Sequence, residues 1–299
     1  MRSRMWGCFS VLAVAALAAC GASGGTDGTP GGGGGGASGA GAGTGVGGSG
    51  GGIVLDSGSG GGGDAAACEQ SVDIVFVMDV STSMGPFLTK LAGEIEVVDQ
   101  AVQALGLPAP PRYGLAVFVD DVLFVNNGQP YSDVKALKAD FQTWSSFTSS
   151  NKQVNSSISN STWPENSLDA IYAAAAQFAW RPLGTVQRLV IHTTDDTFWQ
   201  GPGTNNGVNV LRNYGETLQI LQSNQIRVFS FAEKLGGSCE CLDVTAGFFA
   251  PYLGSPALPG ATGGGVFELN QVMSNQVSLS ASINGAVSGT LCEPYPTPR

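Results

Sequence analysis

The stretch VDIVFVMDVSTSMG, residues 72–85, decides how the rest of the chain is read. Residues 72–79 form an apolar run of strand length, the kind buried on both faces of a parallel sheet. The run ends in Asp79, and Ser81 and Ser83 follow. In an extended loop alternate side chains project to one side, so one carboxylate and two hydroxyls can face a common point. Hard oxygen donors on so compact an arc suit one Mg2+, Mn2+ or Ca2+ ion better than a soft metal. A plainer use also exists, in which Asp79 ends the strand and Ser81 or Ser83 caps the next helix.

Downstream, Pro86 stands near the start of a helix carrying Leu88, Leu91, Ile95, Val98, Val102 and Leu105 at helical spacing, stopped by the proline-rich residues 108–111. RYGLAVFV (residues 112–119) is a second strand; Asp120 and Asp121 then turn into VLFV, an antiparallel neighbour. A modest helix over 133–144 precedes residues 145–161, which lack apolar periodicity and are expected to be surface loop. A helix from Ser167 with Leu168, Ile171, Tyr172 and Ala175 inward, the strand VQRLVIHT (186–193), a helix bearing Leu211, Tyr214, Leu218 and Leu221, and the strand IRVFSFA (226–232) follow. After a cysteine- and glycine-rich excursion come a short strand over 265–269 and a last helix over 272–283; residues 236–262 receive no role. Strands alternating with amphipathic helices predict an α/β fold, a doubly wound, mostly parallel, Rossmann-like sheet with helices on both faces. Such sheets bind ligands at the carboxyl ends of their strands, which points to the loops after Asp79 and Thr193.

Upstream the composition is of another kind. Of 45 glycines, 24 fall in residues 21–67, a Gly, Ser, Ala and Thr tract with too few side chains to bury, so backbone entropy predicts a flexible tether over 20–67. That tract also matches G-x-S-x-G and G-x-G-x-x-G, without the preceding strand and following helix that such chemistry requires. Residues 1–19 read as a secretory signal: Arg2 and Arg4 give a positive start, and residues 8–19 are apolar but shorter than the about 20 residues needed to cross a bilayer. The segment ends in Leu17-Ala18-Ala19-Cys20, which resembles the bacterial lipobox. The resemblance implies that Cys20 is acylated and becomes the mature N-terminus. It also implies a lipid-anchored protein of the bacterial envelope, and Gly21 after the cysteine favours the outer membrane. With 13 basic against 23 acidic side chains, a net charge of −10 and a pI near 4.4, nucleic-acid binding is excluded as a default. The single histidine restricts triad and imidazole acid–base chemistry.

Two later segments reinforce Asp79. Thr162-Trp163-Pro164-Glu165-Asn166 opens the helix from Ser167, and Thr193-Thr194-Asp195-Asp196 follows an interior strand. In a doubly wound sheet both lie at the same carboxyl edge as Asp79. VFVMDVSTSMG, WPENSLDAI and RLVIHTTDDTF together resemble the von Willebrand factor A fold and its metal-ion-dependent adhesion site, most nearly that of the A-like domain in integrin β chains. The likeness covers roughly residues 72–283, within a domain bounded at 68–292 and a C-terminal tail at 293–299. It implies Asp79, Ser81, Ser83 and Glu165 as ligands of one divalent cation, with Asp195 acting directly or through water and Thr162 in a less defined place. Met84, Gly85 and Pro86 stand where that subfamily has a flanking regulatory site, and Thr162 where it has an acid, so one metal is expected. The implied partner is a protein offering an acidic residue to the ion, bound by a membrane-anchored adhesion or protein-interaction module.

Cys68, Cys239, Cys241 and Cys292 remain after Cys8 is removed and Cys20 acylated, and an even number in an exported protein reads as disulfides. Because A-domain termini lie close together, the resemblance favours Cys68 with Cys292, with the other pairings open. His192 is read as a buried histidine, Trp180 as core and Trp199, beside Asp195 and Asp196, as a partner contact. Two rival functions stand beside adhesion. A metal-dependent phosphotransferase with D-x-D-x-T chemistry needs a second carboxylate where this chain has Ser81. A metal-free scaffold component of an envelope assembly would leave the three acid-bearing loops without purpose.

Overall fold

A computed structural model describes residues 69–234 and 244–297. The leader, Cys20, the tether, Cys68, Cys239 and Cys241 lie outside the described residues. Among the described residues one mixed sheet is built from β1 (Ser71–Asp79), β2 (Arg112–Phe118), β3 (Val122–Phe124), β4 (Val186–Thr194), β7 (Ile226–Ala232) and β8 (Gly265–Glu268). Its strand order is β3-β2-β1-β4-β7-β8. All neighbours are parallel except β3, which runs antiparallel to β2 at the edge. A separate hairpin between β4 and β7 pairs β5 (Gly203–Asn205) with β6 (Val208–Val210). The doubly wound α/β architecture expected from the strand and helix alternation is the one adopted.

The centre of the sheet explains why residues 72–79 are so apolar. Val72, Ile74, Phe76 and Met78 enter one core with Leu88, Leu91, Ile95 and Val98 of α1 (Gly85–Gln103), Leu137 and Phe141 of α2 (Val134–Phe147), and Ile283 and Val287 of α7 (Leu279–Thr290). Val75 and Val77 point the other way, onto Leu168, Ile171 and Ala174 of α3 (Ser167–Gln177) and Tyr214 and Leu221 of α4 (Tyr214–Ser223). With a side-chain period of two, β1 therefore needs apolar residues at both parities. Emptying the first core by truncating Phe76, fully buried and edge-on to Phe141 at 5.2 Å, would cost about 3–5 kcal/mol.

Several local readings are corrected. α1 ends at Gln103, so Leu105 lies beyond it, 37% exposed, and Leu107 packs on the core instead. Leu211 is 57% exposed because α4 starts only at Tyr214, where Asn213 and Glu216 form a reciprocal capping box. Tyr172 is half-buried beneath the Arg212 guanidinium, not inward. The β5–β6 hairpin was unforeseen; it turns through Asn206 and Gly207, both at positive φ. The last helix is two, α6 (Leu269–Met273) and α7, and the unassigned stretch before β8 supplies buried Val244, Phe248 and Leu258, the last in α5 (Leu258–Ala261). Residues 145–161 are not all surface either, since Gln153 is buried.

Candidate metal centre

The chain leaves β1 outward to β2 and later returns on its other side as β4, so the loops after β1 and β4 part at the carboxyl ends of the strands. Asp79 is fully buried in that fork. Its Oδ1 accepts the Ser81 N–H at 2.8 Å and its Oδ2 accepts the Thr194 hydroxyl at 3.1 Å. The loop thus folds back on its own carboxylate and brings the Ser81 and Ser83 hydroxyls 3.3 Å apart. The Ser83 hydroxyl also favours the ionised form of Asp195, which follows β4. The third loop is zipped to the second, the Glu165 N–H donating to Thr197 O at 2.8 Å and the Trp199 N–H to Glu165 O at 3.0 Å, and to the end of β2, where the Asn166 N–H donates to Val119 O at 2.8 Å. These backbone ties carry the buried Glu165 side chain inward, where Oε1 accepts from Asn160 at 3.0 Å.

What these oxygens lack is a counter-charge. Glu165 Oε2 and Asp195 Oδ1 are buried without a hydrogen-bond partner. The three ion pairs among the described residues, Lys90–Glu94, Lys138–Glu96 and Arg181–Asp73, involve none of these acids. Burial first, then the charge of Asp195, pushes Asp79 well above the ordinary carboxylate range. Burial, then Asp79 and Asp120, does the same to Glu165. Asp195 is raised by burial against the opposing Ser83 hydroxyl, and Asp196 is pushed up to about 7 by burial and by Asp195 and Glu233. Orphaned buried carboxylate oxygens beside hydroxyls, with no amine among them, fit a hard divalent cation. Among the described residues no group of three or more Asp, Glu, His or Cys side chains is placed to hold a metal together, so an ion here depends on the serine hydroxyls as much as on the acids.

Thr162 is not brought to this group. Its hydroxyl donates to the fully buried Asp120, which also accepts from Gln153 at 2.7 Å and from Asn205 at 3.0 Å. Asp120 is thereby the knot that ties the 151–160 loop and the β5–β6 hairpin to the site. Sequence reasoning placed Thr194 and Asp196 in the segment after the interior strand without giving either a ligand role, and it overlooked Glu233. The signal for Glu233 was its place just past β7, on the same carboxyl edge as Asp195; for Thr194 it was the two-residue strand period bringing it beside Asp79. Trp199 is half-buried, with its indole N–H unpartnered, whereas Trp163, two residues before Glu165, is 60% exposed. His192 is fully buried, stacked between Phe118 and Phe248 with centroids 5.9 and 4.9 Å away. Trp180 is half-buried, past the end of α3, edge-on to Phe178 and bonded to Ala174 O. Cys292 is disulfide-bonded.

Fold and site together define a doubly wound α/β domain with an acidic, hydroxyl-bearing fork at its switch point. No protein-family model matches the chain, and no curated protein does. Among solved structures the chain is similar to proximal thread matrix protein 1 from the mussel byssus, at 15% identity and TM-score 0.39, over 73% of this chain and 46% of that one. A form of the mussel protein with a zinc-occupied MIDAS motif gives 14% and 0.42 over 72% and 48%, so the chain spans about half the length of these proteins. An aerotolerance-related membrane protein from Bacteroides fragilis NCTC 9343 gives 17% and 0.43 over 72% and 99%. At these values the likenesses carry no functional argument, and the fold rests on its own strand order.

Proposed function

We propose that this chain is a von Willebrand factor A-like module that binds a protein partner through one divalent cation, Mg2+, Mn2+ or Ca2+. The single observation that carries the reading is that Asp79, Glu165 and Asp195, the first two buried and the last half-buried, have no counter-charge, with an orphaned oxygen on each of Glu165 and Asp195, on the edge where the Ser81 and Ser83 hydroxyls lie. In this reading Asp79, Ser81, Ser83, Glu165 and Asp195 hold the ion, directly or through water. The bound ion supplies a positive charge that attracts a carboxylate of the partner. The chain's own work is to bury and orient the oxygens: Thr194 fixes the Asp79 carboxylate, Asn160 fixes Glu165, and the Asp120 knot with Thr162 holds the surrounding loops. Trp163, exposed on the Glu165 loop, is the aromatic contact offered to the partner, ahead of the half-buried Trp199. The domain at 68–292 is held at the bacterial envelope by acylated Cys20 and the 20–67 tether, in the outer membrane.

Titration calorimetry of the chain with MnCl2 and MgCl2, with capture of partners from envelope extract in the presence and absence of EDTA, tests this. Binding of one ion, partner capture abolished by EDTA, and loss of both in Asp79→Ala are expected. Equal capture by Asp79→Ala in EDTA removes the mechanism. The absence of three clustered acids among the described residues favours one other reading, a metal-free scaffold, for which the titration shows no heat.

A further inference from the structure

A recess lies beside the candidate centre, walled by β3, α3 and the segment leaving β6. It measures about 280 Å³, and none of Asp79, Ser81, Ser83, Glu165 or Asp195 lines it. Ligand pockets run from roughly 300 to 1,000 Å³, so the space suits one small unit, not a folded segment. Arg212 lies on its wall with its guanidinium carbon 4.0 Å from the Tyr172 ring centroid. That stack holds the planar donor group in place, and no ion pair among the described residues employs it.

The rest of the wall is rich in acceptors. Asp169 takes the N–H groups of Leu211 and Arg212 at 2.9 and 2.6 Å, together with the Asn166 amide at 2.9 Å. Asp121 takes the N–H groups of Val154 and Asn155 at 2.7 and 2.8 Å. Each carboxylate offers about four lone-pair directions, so both retain unused capacity. Asn166, 1% exposed, has an Oδ1 with no partner, but that atom is sealed from solvent, so the acceptors the wall offers to a ligand are the two carboxylates. A carboxylate ligand would satisfy Arg212 but set its lone pairs against both carboxylates. An ammonium ligand would meet the guanidinium, and a hydrocarbon would leave Arg212 unpaired. Hydroxyl groups donate to the acceptors and accept from Arg212 at once, and a ring C–H face can rest on the exposed Leu211.

We propose that the cleft between Tyr172, Arg212 and Asn166 binds one neutral sugar unit of a polysaccharide, without a metal. The test is saturation-transfer NMR on the full chain in EDTA with glucose, galactose, mannose, N-acetylglucosamine and their trisaccharides, with acetate and methylammonium as charged probes. Transfer to a neutral sugar is expected, weakened about tenfold in Arg212→Ala and lost in Gln177→Trp, which obstructs the cleft from an exposed position. The proposal is overturned by no transfer to any of the sugars, by equal affinity in Arg212→Ala, or by preferred binding of acetate or methylammonium. Because EDTA is present throughout, failure here leaves the cation reading standing, and failure of the cation reading leaves this one untouched.

Discussion

Asp196 and His192 give the site opposite responses to pH. Asp196 holds its proton up to about 7 in the fold, so its contribution is full below about pH 4 and is lost as pH rises through about 7. Asp79 and Glu165 are raised for the same main reason and act in the same direction. Burial holds His192 down to about 3, so its contribution is present above about pH 6.5 and is lost as pH falls. The metal-free chain should therefore lose stability both towards neutrality and towards strong acid. A cation removes the first loss by replacing the protons, so the rise in Tm on adding Mn2+ should be larger near pH 7.5 than near pH 5.5, where protons compete. Thermal melts at both pH values check this; an equal rise at both would contradict it. Single aromatic positions are separable too. Trp163→Ala should weaken partner capture by about 1–2 kcal/mol while leaving Tm nearly unchanged, because its ring is exposed. Trp199→Ala should act mainly on Tm, since that ring is half-buried beside the Glu165 loop.

Among the secondary-structure elements, α7 is tied down at both ends. Helix α6 stops after Met273, Asn275 takes a left-handed backbone at φ 59°, and Ser278 caps α7 by accepting from the Ala281 N–H at 3.2 Å. At the other end Thr290 is hydrogen-bonded by Gln187 of β4. Just beyond, Cys292 is disulfide-bonded and Arg227 of β7 grips the carbonyls of Glu293 and Pro294 at 2.7 and 2.8 Å. Its guanidinium also faces the Tyr295 ring at 5.6 Å. The carboxyl end of α7 is thus fixed to the sheet, and its start is set by the Ser278 cap. Mild reduction should raise amide hydrogen exchange over Leu279–Thr290, with smaller changes in β1 and β4. Unchanged exchange would show that the Arg227 and Gln187 contacts alone hold the helix. α4 owes its start to the Asn213–Glu216 box, and Asn213→Ala should cost about 1 kcal/mol, read from denaturant midpoints.

For the chain as a whole, the envelope reading predicts that Cys20→Ala moves the protein from the membrane fraction to the soluble one while leaving cation binding intact, as fractionation and calorimetry would show. Among the described residues no helix is long and apolar enough to cross a membrane. Much of the domain was legible in the order of residues alone. A run such as 72–79 can be buried only on both faces, and period-3.6 helices between such runs leave little besides a doubly wound sheet. Loop placement follows from that topology, which is why the order of residues alone sends Asp79, Glu165 and Asp195 to one edge. Contacts set by distant partners were not legible. The division between α6 and α7 depends on one left-handed residue, Asn275, and the β5–β6 hairpin on Asn206 and Gly207 at its turn. Thr162 serves Asp120 instead of Asp79 because Asn205 and Gln153, which lie 85 and 33 residues from Asp120 in sequence, crowd round the same carboxylate. Periodicity reports which face of an element is buried, but it carries no information about which polar groups meet across loops. The choice between a hydroxyl aimed at one acid and at another was made by the packing of three loops, through hydrogen bonds whose partners are remote in sequence.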